Sequence, residues 1–103
     1  MATRHDEEVK RAVARLKRGG YSNIKADVSG YEQPDPVGRK GFIPDFQASK
    51  PGKTIIGEVE EEKQIPNQGE QIGAFRRSAG QGRSKKFQLL TYQKRKRGVK
   101  SSG

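Results

Sequence analysis

Apolar residues near the start of the chain recur at helical spacing. In the segment DEEVKRAVARLKR they lie three or four residues apart on one face: Val9, Ala12, Val13 and Leu16. Asp6 is suited to cap the N-terminus, and Gly19 with Gly20 follows a basic last turn. The pattern predicts an amphipathic helix over residues 6–18, with its apolar face against a core.

The same spacing separates the acids at the start of that helix. Glu8 shares a row with Ala12 and therefore borders the apolar face. Glu7 shares its face with Lys10 and is expected to point to water. His5 stands near the N-terminus, where we expect a disordered side chain rather than a ligand.

Beyond the helix the apolar pattern changes to the alternation that is typical of strands. Residues 21–29, 42–48 and 54–60 are each predicted as a strand. Residues 30–41 contain two prolines and three glycines, and they are interpreted as a mobile loop without anchors. The sequence Lys-Pro-Gly-Lys at 50–53 is a basic turn, so the second and third strands are predicted to form a hairpin.

The last third of the chain predicts a helix and a strand. Residues 64–80 carry an apolar face at steps of three and four, and 86–92 read KFQLLTY. Because a helix separates the last two strands, the final strand is expected to run parallel to its neighbour. The order αβββαβ predicts an α/β domain with a small mixed sheet over 1–92, followed by a basic, disordered tail over 93–103.

Charge narrows the class of partner. The 103 residues include 22 Lys and Arg against 12 Asp and Glu, which gives a net charge of +10. That excess favours a polyanion, with nucleic acid as the first hypothesis and a purely solvated basic surface as the alternative. The absence of cysteine excludes disulfides, thiolate zinc sites and cysteine nucleophiles.

No apolar run approaches the ~20 residues of a membrane span. The first ten residues lack the apolar core of a signal peptide, and no basic amphipathic helix carries large apolar anchors. We therefore expect no membrane partner and an intracellular protein, cytoplasmic or nucleoid-associated.

Three acids around the predicted hairpin indicate chemistry. Asp45 follows a proline, and Glu58 and Glu60 lie two residues apart, on one face of the third strand. Carboxylates that a hairpin brings together repel each other unless a cation lies between them, and Mg²⁺ prefers such oxygen ligands. The alternative is that the acidic run 58–62 faces solvent.

These residues resemble a known family. Pro44-Asp45, followed thirteen positions on by Glu58-Val59-Glu60, resembles the PD-(D/E)xK nuclease signature, and the order αβββαβ is similar to that superfamily's restriction-endonuclease-like core. The archaeal Holliday junction resolvases are similar in layout. The matching positions, in chain order, are Glu8, Gly20-Tyr21, Ser29-Gly30 and Pro44-Asp45.

The resemblance implies an endodeoxyribonuclease that requires Mg²⁺ or Mn²⁺, with Glu8, Asp45 and Glu58 as metal ligands. It further implies double-stranded or branched DNA as the partner, a homodimer, and a role in DNA recombination and repair. Gln71, followed four residues on by Phe75, matches a glutamine on the helix after the third strand of related nucleases. A solvent-facing Gln71 beside a core phenylalanine is the alternative.

One position departs from the family. The signature has Lys two residues after its second acid, where this chain has Glu60. Glu60 is a metal ligand or base on the first hypothesis, as in some restriction enzymes that carry Glu at this position. The second hypothesis is a non-catalytic nucleic-acid-binding module on the same fold. A basic structural or ribosome-associated protein is the third, and it leaves the pairing of Asp45 with Glu58 unexplained.

Basic residues cluster in three places: at 15–18 in the first helix, around the loop before the last strand, and in the tail. Such clusters bind phosphates and position a duplex without reading its sequence. The tail alternatively serves as a localisation signal or a solvated end. The candidate nucleic-acid-binding residues are Arg76, Arg77, Arg83, Lys85, Lys86, Lys94, Arg95, Lys96 and Arg97.

Overall fold

The first helix, α1, spans Arg4–Arg18 in the computed structural model, which describes residues 3–80 and 84–93. It begins two residues before the predicted start, because Thr3 is the N-cap: its Oγ1 accepts the backbone N–H of Asp6 at 3.0 Å. Asp6 therefore lies in the first turn and is not the cap. The predicted apolar face is confirmed, since Val9, Ala12, Val13 and Leu16 are all buried.

Four strands form one mixed sheet in the order β1-β2-β3-β4. Their bounds are Ser22–Ala26 for β1, Phe46–Lys50 for β2, Lys53–Glu61 for β3 and Lys85–Tyr92 for β4. β1, β2 and β3 pair antiparallel in chain order, and β4 pairs parallel to β3. The predicted α/β class and the parallel final strand are confirmed.

The connections between strands follow their local sequence. Pro51 and Gly52 close the β2–β3 hairpin, where Gly52 has φ of +77° and Lys50 pairs with Lys53. The crossover from β3 to β4 is a 3-10 helix over Glu62–Gln68 followed by α2 over Gly69–Gly80. Residues 94–103, where a disordered tail was predicted, lie outside the part of the chain that the structure describes.

The second strand starts later than predicted, at Phe46 rather than at residue 42. Proline has no N–H for a strand ladder, and Pro44 lies buried just ahead of the strand. Phe42 pairs instead with Val37 in an isolated antiparallel bridge. Asp45 consequently lies at the entrance of β2 rather than within it.

The predicted absence of anchors in the loop 30–41 is wrong. Val37 and Phe42 exchange backbone hydrogen bonds of 2.7 and 2.9 Å across the tip, and Pro34 is buried. The Phe42 ring meets the Phe75 ring of α2 edge-on, with 6.4 Å between centroids. The loop is therefore held against α2.

The sheet has a helix on each face. α1 covers a face that includes Phe46, Ala48 and Val59, all of which are at most 1% exposed. Gly57 makes room there, because a Cβ at that position would lie 1.9 Å from the Phe46 ring. α2 covers the other face, where the Phe75 ring lies 5.8 Å from the Phe87 ring. No helix in the described ranges is both long and apolar enough to cross a bilayer.

Candidate active site

Alternation along β3 places its acids on the α2 side of the sheet. Val59 packs into the α1 core, so Glu58 and Glu60 point to the opposite face. Glu58 is only 3% exposed, and Glu60 is half-buried. Asp45 joins them, because its backbone N–H donates to the carbonyl of Gly57 at 2.9 Å. Asp45 therefore lies against β3, the strand that carries both glutamates.

The Asp45 carboxylate is fixed by the backbone of the neighbouring strand. Its Oδ2 accepts the Val59 N–H at 2.7 Å, and the residue is 7% exposed. A carboxylate that accepts a backbone N–H is held in one rotamer, so Asp45 presents a fixed oxygen to the space beside Glu58.

His5 is the residue that the sequence interpretation missed. It lies in the first turn of α1, and its Nε2 is 3.1 Å from Asp45 Oδ2 and 2.9 Å from the Val59 carbonyl oxygen. Because both partners accept, Nε2 carries a proton. The hydrogen bond to Asp45 raises the pKa of His5 to about 9 against the opposing effect of burial, and the Asp45 charge adds to it.

The expected disorder of His5 is therefore wrong, because the imidazole is ordered by the acids. A sequence signal for this placement exists. His5 stands four residues before Val9, so a helix starting at Arg4 extends the buried stripe to His5.

Glu58 is the most deeply buried of the three acids in the site. Its Oε2 accepts a hydrogen bond from Gln71 Nε2, while its Oε1 is buried and receives no hydrogen bond from residues 3–80 or 84–93. Burial raises the pKa of Glu58 to about 9, and the charges of Asp45 and Glu60 add to the effect. Burial also raises the pKa of Glu60.

Gln71 reaches this site from α2. It is half-buried and donates to Glu58, so it does not face solvent, which was the alternative left by its sequence. Phe75 lies fully buried one helical turn later and fixes the face that α2 presents to the sheet.

Glu8 lies apart from the other acids. Its Oε2 is 2.9 Å from Arg4 Nε and 3.5 Å from Arg11 Nη1, so its charge is balanced within α1. Across the described ranges, no three acidic or histidine side chains converge closely enough to hold a metal ion. The expected grouping of Glu8 with Asp45 and Glu58 therefore does not form, because arginines on its own helix hold Glu8.

The remaining donors nevertheless fit a hard divalent cation. Asp45 and Glu58 provide two carboxylates, and Val59 provides a backbone carbonyl oxygen beside them. Magnesium is typically bound through one or two carboxylates, with waters and substrate oxygens completing the shell. A buried carboxylate oxygen without a donor, such as Glu58 Oε1, has a favourable partner in such a cation.

The candidate nucleic-acid-binding residues are dispersed. The Arg76 guanidinium lies 5.6 Å from the centroid of the Phe87 ring, and Arg77 is exposed one residue further along α2. Lys85 Nζ donates to Ser78 Oγ at 3.3 Å, and Lys86 is exposed on β4. Four tail residues and one loop residue lie outside the described ranges: Lys94, Arg95, Lys96, Arg97 and Arg83.

No protein-family model matches the chain, and comparisons with curated proteins and with solved structures find no match.

Proposed function

We propose that the protein is a metal-dependent endonuclease with a restriction-endonuclease-like core, and that Asp45 and Glu58 hold Mg²⁺ or Mn²⁺. The observation that carries the proposal is Glu58, a nearly buried carboxyl with an unpaired oxygen, placed beside a second fixed carboxylate. A fold does not retain such a pair for stability, since burial and mutual repulsion both oppose its ionisation. The net charge of +10 supports a polyanionic substrate.

Each residue of the site has a distinct chemical task. A divalent cation bound there supplies charge neutralisation at the phosphate and a more acidic water. Gln71 orients Glu58, and the Val59 N–H orients Asp45. Glu60 has the carboxylate to accept a proton from an attacking water, because it is half-buried on the same face as Glu58.

The position of Glu60 favours the enzyme over the binding module. Had Glu60 pointed away from Asp45 and Glu58, the loss of the usual Lys would have argued for a protein that only binds. Both acids instead influence the protonation of Glu60, so it lies within the field of the site. The binding module remains the second candidate because no lysine occupies the position.

For the substrate we propose branched DNA, cut by a symmetric dimer. Two copies of the site related by a twofold axis match a junction that is itself twofold symmetric. This part of the proposal derives from the resemblance to Holliday junction resolvases, and it extends to a role in recombination or repair.

The test is cleavage of four-way-junction, linear-duplex and single-stranded DNA with Mg²⁺ or Mn²⁺. We expect metal-dependent products from the wild type and a loss on the order of 100-fold or more in Asp45→Asn, since even outer-shell changes at metal sites cost about 10–100-fold. Asp27→Asn is the matched control, because the Asp27 side chain is exposed and its contact with Asp45 is a backbone hydrogen bond that the substitution leaves in place.

Two outcomes contradict the proposal. Cleavage that survives in Asp45→Asn would place the chemistry elsewhere. The absence of a metal-dependent product on every substrate, with DNA binding retained, would leave the non-catalytic module as the function.

A further inference from the structure

A concave groove lies between the tip of the loop 30–41 and α2, the helix that also supplies Gln71 to the candidate active site. Its volume is about 490 Å³. The residues that define it are Arg39, Lys40 and Phe42 from the loop and Glu70, Ala74 and Arg77 from α2. None of the loop residues belongs to the basic clusters that the sequence singled out.

Backbone hydrogen bonds fix the tip of the loop, which carries Arg39 and Lys40. Two hydrogen bonds between Val37 and Phe42 close it, and Gly41 N–H donates to the Gly38 carbonyl at 3.1 Å within it. Gly38 has φ of +78°, and a Cβ there would stand 3.4 Å from Ala74. A residue with a side chain would be strained at this φ, so glycine suits the turn that carries Arg39 and Lys40 against α2.

Three of the four charged side chains in the groove are positive, so the groove carries a net positive charge. Lys40 forms an ion pair with Glu70 across the groove. Arg39 and Arg77 form no ion pair within residues 3–80 and 84–93, and both are exposed. Arginine presents a planar fork of donors that matches phosphate oxygens. Two arginines without an ion pair, beside a lysine that is paired with Glu70, therefore favour a phosphate-bearing ligand.

The groove and the acid site share one helix. Gln71 donates to Glu58 in the site, and Ala74 lines the groove three residues later, a rise of about 4.5 Å along the helix axis. One strand of DNA carries a phosphate about every 3.4 Å along its axis. The residues of α2 that support the acid site and line the groove are thus separated along the helix axis by about one phosphate step.

We propose that this groove binds the sugar-phosphate backbone of a nucleic-acid strand, with Arg39 and Arg77 on the phosphates and Lys40 released from Glu70 when a strand binds. The half-buried Phe42 ring supplies an apolar floor for a sugar or base. Binding in the groove does not depend on cleavage at the acid site, so it holds for an endonuclease and for a non-catalytic module.

The test measures fluorescence anisotropy of labelled duplex and single-stranded DNA and RNA over a range of salt, in EDTA to prevent cleavage. Arg39→Ala/Arg77→Ala is expected to weaken binding on the order of tenfold at ~0.1 M salt and to reduce the slope of log K against log salt by about two, one unit per lost phosphate contact. Circular dichroism checks that the variants fold.

The charge-matched control is Arg15→Ala/Arg18→Ala. Both residues are exposed on α1, which packs on the opposite face of the sheet, so they carry the same charge without lining the groove. Equal losses in the two double variants would overturn the proposal, because binding would then follow net charge alone. Failure of the wild type to bind any nucleic acid in EDTA would overturn it too.

A second pair of variants tests the groove by gain of affinity. Glu70→Gln removes the acid of the groove and frees Lys40, and we expect binding about threefold to tenfold tighter. Glu7→Gln, exposed on α1, makes the same charge change elsewhere and is expected to have a smaller effect. Equal gains would contradict the proposal, as would equal competition by polyglutamate and by an unlabelled oligonucleotide of the same charge.

Discussion

The two faces of the sheet meet opposite requirements although they share the same strands. On the α1 face, Val9, Val13, Phe46 and Val59 form a dry core in which every side chain is apolar and fully buried. On the α2 face, one residue earlier on β3, Glu58 is equally buried but carries an ionisable group with an unpaired oxygen. Because side chains alternate along β3, the apolar residues that stabilise the fold face α1, and the buried ionisable residue that destabilises it faces α2.

The difference has a thermodynamic consequence. Burying apolar side chains on the α1 face contributes about 1.5–3 kcal/mol for each large residue. An unsatisfied buried polar group on the α2 face costs about 1–3 kcal/mol. The first face therefore offsets what the second one costs, and changes on the two faces are expected to alter stability with opposite sign.

The largest effect is expected on the α1 face. Phe46→Ala removes a fully buried ring and is expected to lower the free energy of unfolding by about 3–5 kcal/mol, because a cavity replaces the ring. Urea denaturation measures the loss. Val13→Ala is the milder variant, at about 2 kcal/mol, and its folded state is expected to bind Mn²⁺ in calorimetry with unchanged affinity. A weakened metal affinity in Val13→Ala would show that the faces are not separable.

A change of opposite sign is expected on the α2 face. In EDTA at pH 8, Glu58→Gln is expected to raise the free energy of unfolding by about 1–3 kcal/mol, because the buried ionisable group is gone. The same variant is expected to lose measurable Mn²⁺ binding. Glu62→Gln, an exposed acid just past β3, is the control and is expected to change stability by less than about 0.5 kcal/mol.

The pH dependence of the free energy of unfolding, measured without metal, tests whether the ionisation of Glu58 is the cause of this stability difference. The pKa of Glu58 rises from 4.5 to about 9 on folding, so between these values the folded protein keeps a proton that the unfolded chain has lost. The contribution of this Glu58 proton to stability is complete below pH 4.5 and is lost as the pH rises through 9. The pKa of His5 rises from 6.5 to about 9 on folding, so His5 also lowers stability as the pH rises between these values. Stability is thus expected to fall from pH 5 to pH 9, less steeply in Glu58→Gln; a flat wild-type profile would contradict this.

The smallest effect is expected at His5. Its protonated Nε2 lies against Asp45 Oδ2 and the Val59 carbonyl oxygen, two of the oxygens that we propose as metal ligands. His5→Ala is expected to tighten Mn²⁺ binding at pH 7 about tenfold, or about 1.4 kcal/mol, since a positive group leaves the site. Lys10→Ala removes a charge from the exposed side of α1 as the control. Weaker binding in His5→Ala would make His5 a ligand rather than a competitor.

Much of the fold was predictable because its determinants are local. The apolar stripe of α1, the alternation of β3 and the Pro-Gly turn each express a preference of a few neighbouring residues. The crossover and the parallel last strand follow from the order of the elements alone. The start of β2 was predicted wrongly because Phe42 satisfies its backbone groups with Val37, a partner that no periodicity identifies.

The candidate site was predictable only where local sequence spacing identifies a residue. Asp45, Glu58 and Gln71 could be singled out from spacing and resemblance, and the sheet brings them together. The ion pairs that hold Glu8 were not anticipated, although Arg4 and Arg11 are one helical turn away on either side. The spacing of His5 to Val9 indicates a position on the buried stripe of α1, but not the contacts of His5, because its partners lie 40 and 54 residues further along the chain.

The parallel pairing of β3 with β4 also sets an order of assembly. The β2–β3 hairpin closes through the tight turn at Pro51 and Gly52, whereas a helical crossover separates β4 from β3, so we expect β4 to dock last. Gln71 belongs to that crossover, so Glu58 gains its hydrogen bond late. During synthesis, we expect the nascent chain to hold Asp45 and Glu58 in an incomplete sheet, without the Gln71 hydrogen bond, until the last strand has docked.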